Sequence, residues 1–213
     1  MARSRDEARR RTTAAILSAA RTAIAEHGAP GLSMRAIARD VGMVSSAVYR
    51  YFPTRDALLT TMIVESYGNL AGALAAAAQE AADWRTLGRA WRDWARSVPH
   101  EFQLIYGTPV PGYRAPPETI PAAAAVVAPF LAVAGGSIPS SFSAPVLVNQ
   151  FQVLADDVPG ANPAGVAAVV SELAALVGFV GLELAGHFVG VADPGDALYE
   201  ALLERQAESL GLA

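Results

Sequence analysis

Cysteine is absent from this 213-residue chain, which excludes disulfide staples, thiol redox chemistry and thiolate metal sites and gives no hint of secretion. Lysine is absent too: all 16 basic residues are arginine, and with the abundance of Ala, Val, Gly and Pro this reads as the codon bias of a GC-rich genome, not as function. Only three histidines occur, with no His-x-x-x-His, no Gly-x-Ser-x-Gly, no phosphate loop and no Cys/His metal spacing. The chain is therefore expected not to be an enzyme, and no metal or cofactor is expected. No repeat or heptad run is visible, and the length suffices for one or two domains with a real core. The Arg-rich start, Arg3 to Arg11, lacks the apolar stretch and small-residue cleavage site of a secretory leader, so a cytoplasmic location is expected. A solvated tail and a phosphate-reaching arm both fit that cluster.

What is present is an uneven charge. Residues 1–55 hold ten Arg against four acidic residues, a net of +6, while the remaining six Arg face sixteen acids, a net of −10. A basic end on an acidic body suits phosphate binding, because each neutralised phosphate releases condensed counterion.

Within that basic end, Ser33 is placed to cap a helix whose Ile37, Ala38 and Val41 fall at helical spacing, and Gly42 breaks it. A second short helix is expected from about Val44 to Phe52, burying Val48 and Phe52 and leaving Ser45, Ser46 and Tyr49 outward. Two short helices joined by a tight Gly turn, the second exposing small polar residues near its start, form a helix-turn-helix of a shape that fits the DNA major groove. Upstream, Ile16, Ala20, Ala23 and Ile24 mark the buried stripe of a first helix ending at Gly28. Downstream, Thr54 opens a long helix through Leu58, Met62, Leu70 and Leu74 to about Ala82.

Ser33, Ile37-Ala38, Val41-Gly42, Val48-Tyr49-Arg50-Tyr51-Phe52 and Arg55-Asp56-Ala57-Leu58-Leu59, in that order, resemble the DNA-binding domain of the TetR family of transcriptional regulators over roughly residues 10 to 62. The resemblance implies an all-α chain: a three-helix helix-turn-helix domain at residues 1–55, and a helical ligand-binding and dimerisation domain at 56–213. It also implies a homodimer on a double-stranded operator, released by a small-molecule effector, with the long helix from Thr54 as the link between head and body. Arg35 lies where an Arg of the family reaches a base edge, and Arg to guanine is the commonest specific contact. Ser45 and Ser46 approach bases, with the helix cap expected to shift to Ser45 because Val44 stands where the family usually has a small polar residue. Ser33, Tyr49, Tyr51 and Arg55 match positions that hold phosphates. Packing against the first helix is the other reading of Tyr51.

The rest of the chain reads as helices separated by breaks. Leu87, Trp91, Trp94 and Val98 lie on one apolar stripe, which fits a core face first and a pocket wall second. Pro99 suits the start of a short helix, and Gly107 to Pro117 is a stiff Pro-rich loop, expected at a pocket entrance. Further helices are expected at 119–134, interrupted at Pro129, at 146–156, at 164–189, and after a cap at Asp193. Two acids and a His inside the 164–189 helix argue against a membrane span; burial by its own domain on one side and by a partner on the other fits better. The TetR resemblance puts the dimer interface on these last two helices, and Arg placed at Leu176 or Val180 is expected to split the dimer or unfold the chain. Pro99 to Phe102 and Leu104 to Tyr113 resemble a TetR subgroup named for a Trp and a His-Gly pair, although Val177 stands where the subgroup has His.

Trp91, Trp94, Phe102, Tyr106, Tyr113, Phe130 and Phe179 supply the walls of a mainly apolar ligand site, and Asn149, Gln152, Glu183 and His187 its polar anchors. The expected effector is small and apolar or aromatic.

Overall fold

The computed structural model describes residues 2–212, with side chains described from Arg5 to Leu212. Ten α-helices follow one another: α1 (Ala2–His27), α2 (Met34–Asp40), α3 (Ser45–Val48), α4 (Arg55–Glu80), α5 (Trp84–Ser97), α6 (Pro99–Tyr106), α7 (Ile120–Ala134), α8 (Pro145–Asp156), α9 (Pro163–Leu184) and α10 (Asp196–Ser209). No strand occurs among the described residues. The all-α class is as the sequence implied.

Two compact units form, and they do not divide at residue 55. One comprises Met1–Ser66 with His100–Ile120, the other Tyr67–Pro99 with Pro121–Ala213. The physical reason is packing: Leu58, Leu59 and Met62 of α4 are buried in the same core as Ile16, Leu17, Ala20 and Ile24 of α1 and Met34, Ile37 and Ala38 of α2. A division read from charge cannot see that burial. Helix α4 leaves the first unit after Ser66, and the chain passes between the units again at Pro99 and at Ile120. The long helix is therefore one of three connections, not the sole link.

In the first unit the capping argument holds: the Ser33 hydroxyl accepts from the Ala36 amide, and Gly42 takes the turn at φ +67°, a conformation only Gly adopts without cost. Helix α3 is shorter than expected, four residues instead of nine, and winds out through tight turns, with Arg50 and Tyr51 amides donating to the carbonyls three residues back. Its N-cap is Val44, which makes no side-chain cap bond, so Ser45 does not take that role.

The second unit is built around two aromatic groups. Phe130 of α7 meets Trp84 and Trp91 edge-on, with ring centroids 5.0 and 5.9 Å apart, and Phe179 lies 4.8 Å from Phe188 and 5.0 Å from Tyr199. The Trp84 indole N–H donates to Gln206, whose amide donates to the Glu172 carbonyl, so the buried polar groups linking α5, α10 and α9 are satisfied. Helix α9 starts against bare backbone: a Cβ on Gly165 would sit 2.2 Å from the Gly135 carbonyl oxygen, and Asn162 both caps the helix and donates to the Gly136 and Ser137 carbonyls.

Three boundaries differ from the sequence reading. Pro129 does not interrupt α7, since the helix runs through it and the residue whose carbonyl it frees, Ala125, is exposed to water. Helix α9 stops at Leu184, five residues early, because Gly186 at φ +77° closes it with the His187 amide on the Leu182 carbonyl and the Gly186 amide on the Glu183 carbonyl. Helix α10 starts after Gly195, so Asp193 lies too far upstream to cap it. With a mean hydropathy of 2.0 over 22 residues, α9 has the length and apolarity of a membrane span, a test that core helices also meet. Half of that stretch is buried within the chain itself.

Candidate nucleic-acid interface

The outer surface of the first unit carries Arg35 on α2, Ser46 on α3, and Tyr49 and Arg50 just beyond it, all exposed, with Ser45 partly covered. Their partners beneath, Ile37, Ala38 and Val48, are at most 1% exposed, so the two helices are fixed by their inner faces while the outer faces stay free. Among the described residues Arg35 has no hydrogen-bond or ion-pair partner in the chain, which leaves its planar donor fork available to an external acceptor. The Ser33 hydroxyl is engaged in capping α2.

Two expected phosphate contacts have other occupations. Tyr51 packs against the unit's core and lies under Arg9 of α1, whose guanidinium carbon is 5.1 Å from the ring centroid, so the packing reading is the one this geometry favours. Arg55 turns inward: its Nε donates to the Leu32 carbonyl at 3.0 Å and its Nη2 to the Ala29 and Pro30 carbonyls at 2.8 and 3.3 Å. It clamps the turn that sets the start of α2. No local pattern could have announced this, because the acceptors are backbone carbonyls 23 to 26 residues upstream. Of the Arg-rich start, Arg5, Arg10 and Arg11 are exposed, while the side chain of Arg3 lies outside the described residues.

The expected ligand residues are not brought together within either unit. Phe102, Tyr106 and Tyr113 belong to the first unit, the others to the second. Tyr113 packs on the helix-turn-helix core, and its hydroxyl shares a 2.9 Å hydrogen bond with Thr60 of α4. The 107–117 loop thus belongs to the first unit. Within the second unit Trp91, Trp94 and Phe130 are core residues at 1%, 8% and 0% exposure, while Phe179 is half-buried. Asn149, Gln152 and His187 are exposed, and the Gln152 amide donates to Asp156.

Glu183, expected to anchor a ligand, is held by Arg92 through two hydrogen bonds, one from Nε at 2.8 Å and one from Nη2. Arg92 also donates to Asp196 at 2.8 Å and lies 4.9 Å over the Tyr199 ring. The Arg92–Asp196 pair is one rung of a ladder between α5 and α10, in which Arg85 grips Glu204 and Arg89 grips Glu200. The hydrogen bonds from Arg92, Arg89 and Arg85 hold the Asp196, Glu200 and Glu204 carboxyls below their usual range. A carboxyl with a depressed folded-state pKa contributes stability that is complete above its unfolded value, about 4, and is lost as pH falls through the folded value. The melting temperature is thus expected to fall on acidification below about pH 4, and Glu200→Gln with Glu204→Gln should flatten that fall. An unchanged slope in a melting series against pH would remove the ladder from the account. Among the described residues no group of three or more His, Asp or Glu is placed to hold a metal ion.

Residues 16–62 match the family model for bacterial regulatory proteins of the tetR family, and residues 84–206 match that for the tetracyclin repressor-like C-terminal domain. The HTH-type transcriptional regulators Rv1816 of Mycobacterium tuberculosis and Mb1846 of Mycobacterium bovis are each 46% identical to this chain over 140 residues. That match takes in 62% of this chain and 60% of each relative, so it spans about three fifths of their length. Among solved structures, the regulatory protein SCO4313 superposes with a TM-score of 0.83 at 35% identity, covering 94% of this chain and 97% of that one. A tetR family transcription regulator from Shewanella sp. PV-4, at 19% identity, a TM-score of 0.54 and 94% coverage of both chains, shares the fold alone. With both halves matched in order and the helix-turn-helix built as the residues require, this chain belongs to the TetR family of DNA-binding transcriptional regulators.

Proposed function

We propose that the protein is a ligand-responsive repressor that binds a palindromic operator as a homodimer and releases it when a small apolar or aromatic molecule occupies the regulatory part. The observation that carries this reading is the exposed, unengaged Arg35 beside the short recognition helix, on a basic head attached to an acidic body. Arg35, Ser45, Ser46 and Tyr49 are the proposed DNA contacts, the first as base reader; the Ser33 oxygen accepts from the Ala36 amide in capping α2, and its O–H remains a donor for a phosphate oxygen. The aromatic content of the second unit supports an apolar effector, with Trp91, Trp94, Phe130 and Phe179 as the candidate wall and His187 as the candidate anchor. No catalytic role, cofactor or membrane partner is proposed, and the site of action is the cytoplasm.

Because Arg35 is proposed to read a base, Arg35→Ala should cost about 1–3 kcal/mol on the cognate duplex and much less on duplexes mismatched at the contacted base. Tyr49→Phe should weaken all duplexes alike. Binding of each variant to the operator and to a panel of single-base mismatches distinguishes the two roles. Equal losses for Arg35→Ala across the whole panel would exclude base reading.

A further inference from the structure

The segment that reads as a loop of the regulatory part is built into the head. Residues 100–120 cluster with the DNA-binding helices, Leu104, Val110 and Tyr113 pack on their core, and Tyr113 hydrogen-bonds Thr60. The loop is stiff for reasons visible in its residues. Pro109, Pro111, Pro116 and Pro117 preset their own φ angles, and Gly112 at φ +79° supports a turn closed by the Tyr113 amide on the Val110 carbonyl at 3.1 Å. Such a loop loses little order in holding one side chain, so its single hydrogen bond acts on a target without first having to organise its own support.

That target is the base of α4. Arg55, at its first residue, grips the turn before α2, and Leu58, Leu59 and Met62 sit in the core. Thr60 lies between these anchors on a partly buried face of the helix, and its hydroxyl shares its hydrogen bond with a residue 53 positions downstream. We infer that Tyr113 is a positioning residue for operator recognition: through Thr60 it sets the angle of the first turns of α4 against the helix-turn-helix, and so the spacing between half-sites that the dimer prefers. The inference rests on the operator-binding reading above. A dimer reads two half-sites with rigid heads, so freedom at the base of α4 relaxes the preferred separation before it unfolds anything.

The test uses the full chain and a palindromic duplex selected by that chain from a random pool, with companions whose half-sites are moved apart or together by one base pair. Tyr113→Phe and Thr60→Val are each expected to weaken binding to the selected duplex about three- to tenfold while leaving the shifted duplexes nearly unchanged, so that the dependence of affinity on spacing flattens. The double variant should be no worse than either single one, since one bond is lost in every case. Thr60→Ser, which keeps the hydroxyl, should behave as the parent. Hydrogen exchange without DNA should show faster exchange over residues 55–66 in Tyr113→Phe than in the parent. Equal losses across all spacings, additive effects in the double variant, or unchanged exchange would overturn the positioning role. A parent chain that selects no duplex would instead reject operator binding, and the exchange comparison would still decide whether Tyr113 holds α4.

Discussion

Replacing Arg92 by Ala is expected to lower the stability of the chain by about 3 kcal/mol, at the lower end of what breaking a buried ion pair costs. The Arg92 side chain is 7% exposed and that of Glu183 16%, so without the guanidinium Glu183 keeps a charge that water reaches poorly. Asp196 is 58% exposed and can be re-solvated, which is why the upper end of the range is not expected. Tyr199 loses the cation above its ring in the same substitution. Arg92→Lys should recover part of the loss, because a single ammonium can hold one carboxylate well but cannot span Glu183 and Asp196 as the planar fork does. Denaturant unfolding of the two variants measures both effects. A loss below about 1 kcal/mol for Arg92→Ala would mean that the cluster behaves as a solvated surface pair and does not tie α5, α9 and α10 together.

Leu182→Arg is expected to split the proposed dimer and, with it, to weaken operator binding by about 10²- to 10⁴-fold, the factor that linking two heads supplies through effective concentration. The position follows from a correction. Leu176 and Val180, expected from sequence at the interface, are fully buried in the chain's own core, so charge there would unfold the protein and report nothing about partners. The outward row of α9 is instead Val170, Ala174, Gly178 and Leu182, every fourth residue, with Val170 39% and Leu182 47% exposed. On α10, Leu198 is 47% exposed and faces away from the buried row Tyr199, Leu203, Gln206 and Leu210. An apolar row of this kind on a helix half of which is buried within the chain fits the self-complementary face of a two-fold dimer. Sedimentation of Leu182→Arg should give a folded monomer. A folded dimer for both Leu182→Arg and Val170→Arg would move the interface off α9.

Local chemistry in the sequence goes as far as local chemistry reaches. The stripe of α1, the Ser33 cap, the Gly42 turn, the Trp-bearing α5 and the Pro-rich loop are each set by residues within a few positions of one another, and each is where periodicity and turn chemistry put it. The family resemblance covers the same stretch for the same reason. Long-range pairing was not legible. Thr60 meets Tyr113 across 53 residues, Arg92 meets Glu183 across 91, and Trp84 meets Gln206 across 122. In the sequence Glu183 looks like a polar anchor and Tyr113 like a wall residue of an aromatic site, and Arg55 looks like one more cation on a basic head. Which partner each one takes depends on how helices far apart in the chain come to lie side by side. The length of α3 was missed for a subtler reason: Val48 and Phe52 share a face whether the backbone between them is α-helical or tightly turned, so the pattern of burial does not distinguish the two.

Central to the account is sequence-specific DNA binding by two heads. It is tested most directly by titrating the purified full chain against a duplex from the region upstream of its own gene and against the same duplex scrambled, at several salt concentrations. Two protomers per specific duplex are expected, with an affinity at least ~10³-fold above the scrambled control at physiological salt and a log–log salt dependence that falls steeply as phosphate contacts are lost. Binding to the two duplexes with equal affinity, or one protomer per duplex, would contradict it.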